Sequence, residues 1–276
     1  MKRIYLVGLI TSALLLTAAG SLWAQDSPIT VSFSDPSRPG TLRVGMMSGN
    51  LTIKAYSGKD VTIQTQTKTS TGGRSRQTRE AESQGLRRLE AITSGLTIEE
   101  ENNVMVISTS RMNSATIEIQ VPTKTNLKLS ITNGDNLAVQ GVDGEIEATN
   151  TNGNISLTDV SGSVIAHSTN GKVVATLKRV TPQKPMAFTS LNDNIDVTLP
   201  ADTKANLKLK AENGDVWTDF DIQIKPNAAP AIQDTRSKGG RIRIQVDKSV
   251  LGTINGGGPD FELRTFNGNV YIRKAK

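Results

Sequence analysis

Glycines recur through the middle of this 276-residue chain at intervals too regular for ordinary loops. They stand in Asn133-Gly134-Asp135, Asp143-Gly144-Glu145, Asn152-Gly153-Asn154, Ser161-Gly162-Ser163 and Asn170-Gly171-Lys172, evenly spaced to within one position. Alternate copies carry Asn-Gly, so the full period runs from Asn133 to Asn152 and then from Asn152 to Asn170. Between the glycines, apolar residues alternate with polar ones. Ile146 and Ala148 follow Gly144, and Val164 and Ala166 follow Gly162 at the same offsets; Ile155, Leu157 and Val160 follow Gly153. Leu137, Val139 and Val142 follow Gly134 with one extra residue, which predicts a bulge near Asn136. Short alternating runs closed by glycine turns are the pattern of strands, not of helices.

Tight turns between strands often need positive φ, which glycine adopts freely and asparagine tolerates better than most residues. Two arrangements satisfy the spacing. Successive segments pair as antiparallel hairpins in a meander, or each period is one coil of a flattened β-solenoid whose like segments stack about 4.8 Å apart. The alternation of corner types favours the solenoid, with Asn-Gly corners stacked on each other. Ile146 then lies over Val164 and Ala148 over Ala166, facing inward, while Thr149 and His167 share an outward position.

The same signature continues more loosely at Asn192-Asp193-Asn194, Asn213-Gly214 and Asn267-Gly268. Asn206-Leu207-Lys208-Leu209, led by Leu199-Pro200, parallels Asn126-Leu127-Lys128-Leu129, led by Val121-Pro122. This longer repeat, from Pro122 to Pro200 and from Asn126 to Asn206, suggests two related halves. Thr181 to Pro185 reads as a loop, and Pro226 to Gly240 as an exposed loop before a strand at Arg241 to Val246. Upstream, strands are expected at 41–44, 51–54, 61–64, 104–107 and 115–120, with Ser48-Gly49-Asn50 a weak copy of the corner. A polar loop or short helix is expected near 71–95. The resulting division is a signal peptide at 1–24, an N-terminal β region at 25–121 and a β-strand repeat domain at 122–276.

The beginning of the chain sets an address. Met1-Lys2-Arg3 precedes an apolar run from Ile4 to Ala19, and Ala24 stands before polar Gln25-Asp26-Ser27. That order is a secretory signal peptide, with cleavage expected after Ala24 and fallback sites at Gly20 or Ser21. An uncleaved N-terminal anchor is the alternative. No cysteine follows the run to take a lipid anchor, and no later apolar stretch is long enough to span a membrane. Export to the periplasm, cell surface or medium is the expectation.

Composition narrows the chemistry. The chain has no cysteine, one histidine and ten aromatic residues, of which Tyr5 and Trp23 fall in the leader. Thiol nucleophiles, Cys-ligated metals, disulfides and any dyad needing a second histidine are excluded. Net charge is +6 and becomes +4 once Lys2 and Arg3 leave. The densest basic stretch, Arg74 to Arg88, is diluted by Glu80 and Glu82, which reads as a solvated face and argues against nucleic acid as a partner.

The phrases around Val121-Pro122, Asn126 to Leu129 and Asn133-Gly134-Asp135, the run of Gly-x-Ile/Val-x-Ala segments, and the ending Gly252-Thr253-Ile254-Asn255-Gly256-Gly257-Gly258 to Asn267-Gly268-Asn269-Val270-Tyr271-Ile272 resemble the bacterial putative-adhesin family of β-strand repeat proteins, a domain of unknown function. The resemblance covers roughly residues 41 to 276. It implies an exported β-solenoid and brings no catalytic or binding residues.

Several groups invite a chemical reading. Asp193, Asp196, Asp215, Asp219 and Asp221 supply carboxylates that, if paired at about 5 to 10 Å, would suit glycoside hydrolysis. Asn192, Asp193, Asn194 and Asp196 offer oxygens to a hard cation, though turn capping is the simpler reading. Asn255 to Pro259 imitates a phosphate loop, but no Lys-Ser/Thr follows, so it reads as a turn. His167 is expected exposed and without a chemical role. Trp217 and Phe220 are the best candidates for an exposed aromatic contact, or else a cap over the last coils. The expectation is therefore a binding surface with no catalytic, cofactor or metal residues, whose partner is an envelope glycan or another surface protein. A carbohydrate-active β-helix and a regulatory envelope partner are the alternatives.

Overall fold

The computed structural model describes residues 28–67, 95–109, 115–226, 231–234, 242–245 and 248–276. The segments expected to be a signal peptide (1–24) and the polar loop or short helix (71–95, all but residue 95), with the basic stretch Arg74 to Arg88, lie outside them. Among the described residues every regular element is a strand and none is a helix. The first strands are β1 (Ile29–Ser32), β2 (Gly40–Tyr56), β3 (Asp60–Thr67), β4 (Leu96–Glu101), β5 (Val104–Thr109) and β6 (Ala115–Pro122). The middle of the chain forms β7 (Thr125–Gln140), β8 (Asp143–Asn170), β9 (Val173–Val180), β10 (Met186–Asn192) and β11 (Ile195–Leu199). Then come β12 (Ala205–Asn213), β13 (Val216–Thr218), β14 (Gln223–Lys225), β15 (Ala231–Asp234), β16 (Ile242–Gln245), β17 (Val250–Ile254), β18 (Asp260–Asn267) and β19 (Val270–Lys274). Seventeen of these make one sheet; β15 and β16 pair separately, so part of the loop expected at Pro226 to Gly240 is in fact a strand of a hairpin.

Neighbouring segments of the large sheet pair in parallel, at the offsets that the glycine period predicts. Leu127 lies opposite Ile146 and Leu129 opposite Ala148, the same step as from Asn133 to Asn152. Ile155 lies opposite Val173, the step from Asn152 to Asn170. Antiparallel hairpins between successive segments, the meander arrangement, do not occur there. Each rung consists of a first segment, a corner and a second segment. The expected bulge is present as a register shift between Asn133 and Asn136. Ile146, Ala148, Val164 and Ala166 are all buried, His167 is exposed and Thr149 half-buried, so the inward and outward positions alternate as expected. The inward side chains of both segments join one apolar core, in which Phe188 stands beside the small Ala166. Large-beside-small filling of this kind keeps a thin core close-packed.

Rung order departs from chain order in two places. β2 lies between the rung of β5 and β6 and the rung of β7. At the other end, β18 and β19 lie between the rung of β10 and β11 and the rung of β12 and β13. The two related phrases, Asn126 to Leu129 and Asn206 to Leu209, therefore occupy equivalent places, each stacked on a strand inserted out of order. Antiparallel strands cover the ends. β4 lies on β5 and β3 on β6, with β1 outside β3; β17 lies on β12, with β14 outside β17. Among the described residues β13 has β19 as its one strand partner.

The corner glycines are required for closeness as much as for handedness. Gly153 has φ 144°, and a Cβ there would run into the Gly134 carbonyl oxygen of the rung below. Gly171 keeps an ordinary φ, yet a Cβ on it would also strike the Gly153 carbonyl oxygen. The corners stack with no room for a side chain between them.

Candidate binding surface

The corner asparagines adopt none of the positive φ values that favour this residue in tight turns; their role is a ladder. Asn152 Nδ2 donates to Asn133 Oδ1 at 2.7 Å, Asn170 to Asn152 at 2.8 Å, and Asn192 to Asn170 at 2.7 Å. The series continues through the inserted strand: Asn267 donates to Asn192 at 2.7 Å and Asn213 to Asn267 at 2.9 Å. Six side-chain amides thus point one way along the stack. Inside the same corner, Ser168 Oγ donates to Gly153 O at 3.0 Å, Ser190 Oγ to Gly171 O at 3.0 Å, and Thr265 Oγ1 to Asp193 O at 2.8 Å. Asn150 Nδ2 does the same for Gly134 O at 3.1 Å. These buried side chains satisfy corner carbonyls that the apolar core leaves without partners.

Most groups expected to tempt chemistry are engaged by this framework. Asn194 Oδ1 accepts the Asn269 N–H at 2.7 Å, Asp193 Oδ1 the Asn194 N–H at 2.6 Å, and Asn192 Oδ1 the Asn267 amide. Those oxygens therefore cap turns, and no group of three His, Asp or Glu side chains gathers among the described residues. Asp196 pairs with Arg273, while Asp219 Oδ1 accepts the Lys274 N–H at 2.7 Å. The inserted β18 and β19 separate the rung that carries Asp193 and Asp196 from the one that carries Asp215. Asn255 to Pro259 is a turn with successive positive φ at Asn255, Gly256 and Gly257, and Asn255 Nδ2 donates to Thr203 O at 2.7 Å. His167 Nδ1 lies 2.6 Å from Thr189 Oγ1 on an outward face, a partner that the sequence did not suggest.

The two aromatic candidates part company. Phe220 is buried, with the Lys274 ammonium 5.4 Å from its ring centre, and serves as a cap. Trp217 is 57% exposed. Directly opposite it on β19 is Tyr271, which sequence reasoning did not single out, and opposite Tyr271 on β11 is Asp196. Arg273 lies over Tyr271 at 5.2 Å from the ring centre and binds Asp196 through Nε at 2.9 Å and Nη2 at 3.3 Å. That hydrogen bond, reinforced by the Asp196 charge, holds the Arg273 pKa above its ordinary value. Asn269 Nδ2 donates to the Tyr271 hydroxyl at 3.0 Å and fixes the ring.

This patch ends a straight outward row. From Trp217 the row passes through Tyr271, Asp196, Val174, Ser156, Ala138 and Thr52 to Glu118, each directly opposite the next on neighbouring strands. At about 4.8 Å per strand it spans roughly 34 Å.

At the opposite end the polar contacts are of another kind. Ser37 hydroxyl and Arg38 guanidinium bonds, together with the Ser37 N–H, hold the Asp35 carboxyl down to about 2. The Ser34 hydroxyl and N–H lower the pKa of Glu100, helped by the Asn103 N–H. Glu100 thereby ties the loop after β1 to the β4–β5 turn.

No protein-family model matches the chain, and no curated protein does. Solved structures similar to it include the following two. A putative cell adhesion protein from Clostridium sporogenes ATCC 15579 is 10% identical, covers 90% of this chain and 99% of its own, and superposes with a TM-score of 0.44. A putative adhesin from Bacteroides fragilis NCTC 9343 is 12% identical over 91% of this chain and 98% of its own, with a TM-score of 0.26. Likenesses this slight carry no functional argument.

Proposed function

We propose that this chain is an exported, non-enzymatic β-solenoid that acts as an adhesin-like binding surface toward a repeating envelope polymer or another surface protein. The observation that carries the reading is the outward row from Glu118 to Trp217, eight strands in register on a rigid parallel stack. Such rows present side chains at a fixed repeat, so weak polar contacts add along a repeating partner without any bond being broken. The parallel registers, the stacked glycine corners and the asparagine ladder support the solenoid. The sequence at residues 1–24 supports export, and its resemblance to the putative-adhesin repeat family leans the same way. The acids support the non-enzymatic reading, since Asp193, Asp196 and Asp219 each hold a framework partner.

The test is co-sedimentation of the purified chain with isolated envelope of a bacterial expression host, alongside N-terminal sequencing of the exported product. Saturable sedimentation and a first residue at or near Gln25 are expected. A product that keeps Met1 would overturn export, and release of new reducing ends from an envelope polysaccharide would overturn the non-enzymatic claim.

A further inference from the structure

We infer that the Trp217–Tyr271 face is a subsite for an uncharged hexose chain, an assignment that rests on the surface-binding function proposed above. Two aromatic side chains stand side by side on neighbouring strands, facing outward, with Trp217 57% exposed on the last strand of the row. An aromatic face is apolar and electron-rich, and it matches the C–H-bearing face of a pyranose ring. Beside the rings, Arg273 and Asp196 hold each other in a two-point hydrogen bond. Their remaining donor and acceptor sites are coplanar and fixed, as neighbouring hydroxyls on one sugar require. Thr198 lies opposite Arg273 and Thr176 opposite Thr198, so hydroxyls continue the polar edge along the stack.

The charges select among occupants. Arg273 is paired with Asp196, while Asp219 caps the Lys274 backbone N–H and the Lys274 ammonium lies over the Phe220 ring. With as many carboxylates as cations, the patch offers no net attraction to a polyanion. The strand spacing of about 4.8 Å approximates the length of one extended hexose unit. A chain lying along the row therefore sets one ring over Trp217 and the next beside Tyr271, over which Arg273 lies, with its hydroxyls against Arg273 and Asp196. Among the described residues β13 has no outer strand, and a peptide adding there would find three residues to pair with, too few to hold it.

Trp23 and Trp217 are the only tryptophans, so the full chain carrying Trp23→Phe reports on this face alone. Titration with cellohexaose and chitohexaose is followed by indole fluorescence and calorimetry, with polygalacturonate as the anionic comparison. A saturable fluorescence change with at least one neutral hexamer is expected. Trp217→Ala and Tyr271→Ala should each weaken binding about tenfold or more. Lys59→Ala, exposed in the turn between β2 and β3 and outside the row, should leave it unchanged. Trp217 is exposed, so its variant keeps the parent thermal transition.

Hexamer binding that survives Trp217→Ala overturns this site and leaves the surface-binding function standing. Envelope sedimentation without hexamer binding, or tighter binding of polygalacturonate or of a peptide, overturns the ligand class. A chain that binds neither hexamers nor envelope overturns both readings.

Discussion

The two ends of the stack solve the problem of a free strand edge differently. At the end near the N-terminus both segments of the outer rung are covered, β5 by β4 and β6 by β3 with β1 beyond it. At the other end β17 covers β12, but β13 has no outer strand among the described residues, and Trp217 projects from it. Uncovered edges invite pairing with other chains, and proteins shorten or charge them in response. β4 fits the charged solution with Glu99, Glu100 and Glu101; β13 fits the short one. Covering is applied to the longer rung strands β5, β6 and β12, while the three-residue β13, with no outer strand among the described residues, is where the exposed Trp217 sits.

The largest effect should separate the inserted strands from the covering ones. Removing residues 255–276 takes β18 and β19 from between two rungs and leaves both faces of the gap unpaired, with Leu263, Val270 and Ile272 lost from the core. Loss of the cooperative thermal transition, followed by circular dichroism, is expected. Removing residues 1–32 takes from the described strands the outermost β1 alone and should lower the Tm by a few degrees. Equal effects at the two ends would show that insertion contributes no more than covering.

Next comes the polarity of the asparagine ladder. Asn213 is a donor at one end, and Asn213→Asp sets a carboxylate against Asn267 Oδ1. A loss of about 1 kcal/mol is expected, because an acceptor then faces an acceptor. Asn133 is an acceptor at the other end, so Asn133→Asp still receives the Asn152 amide and should cost less than half as much. Urea denaturation measures both, and a reversed order would mean that the amides point the other way.

The smallest effect is confined to the N-terminal end. The Asp35 pKa is depressed from 3.8 to about 2, so the stabilisation it gives is full above about pH 4 and is lost as pH falls toward 2. The Glu100 pKa is lowered as well and acts in the same direction. Amide exchange at Ser34, Ser37 and Asn103 should rise over that window while the core amides of β7 and β8 stay protected. Uniform exchange across both regions would disprove a local effect.

Much of the architecture was legible because one physical requirement repeats. Stacked corners exclude a Cβ, so glycine marks every rung between residues 134 and 171 and its spacing equals the strand register. The reason assigned to asparagine was incomplete. Handedness concerns one residue at a time, whereas the Asn133-to-Asn213 ladder joins neighbours far apart in the chain, such as Asn192 and Asn267. The insertions were illegible for a related reason. Each rung carries nearly the same alternation, so nothing local tells β10 that its neighbour is β18. Trp217 was identifiable by its side chain alone. Tyr271 was not, because its place beside Trp217 depends on the out-of-order pairing of β13 with β19.

That pairing also makes closure of the stack non-local. β10 and β12 meet only through β18, which lies well downstream of both, and the ladder neighbours Asn192 and Asn267 are 75 positions apart in the chain. The ends of so long a loop must be brought together before these contacts stabilise anything, which slows folding.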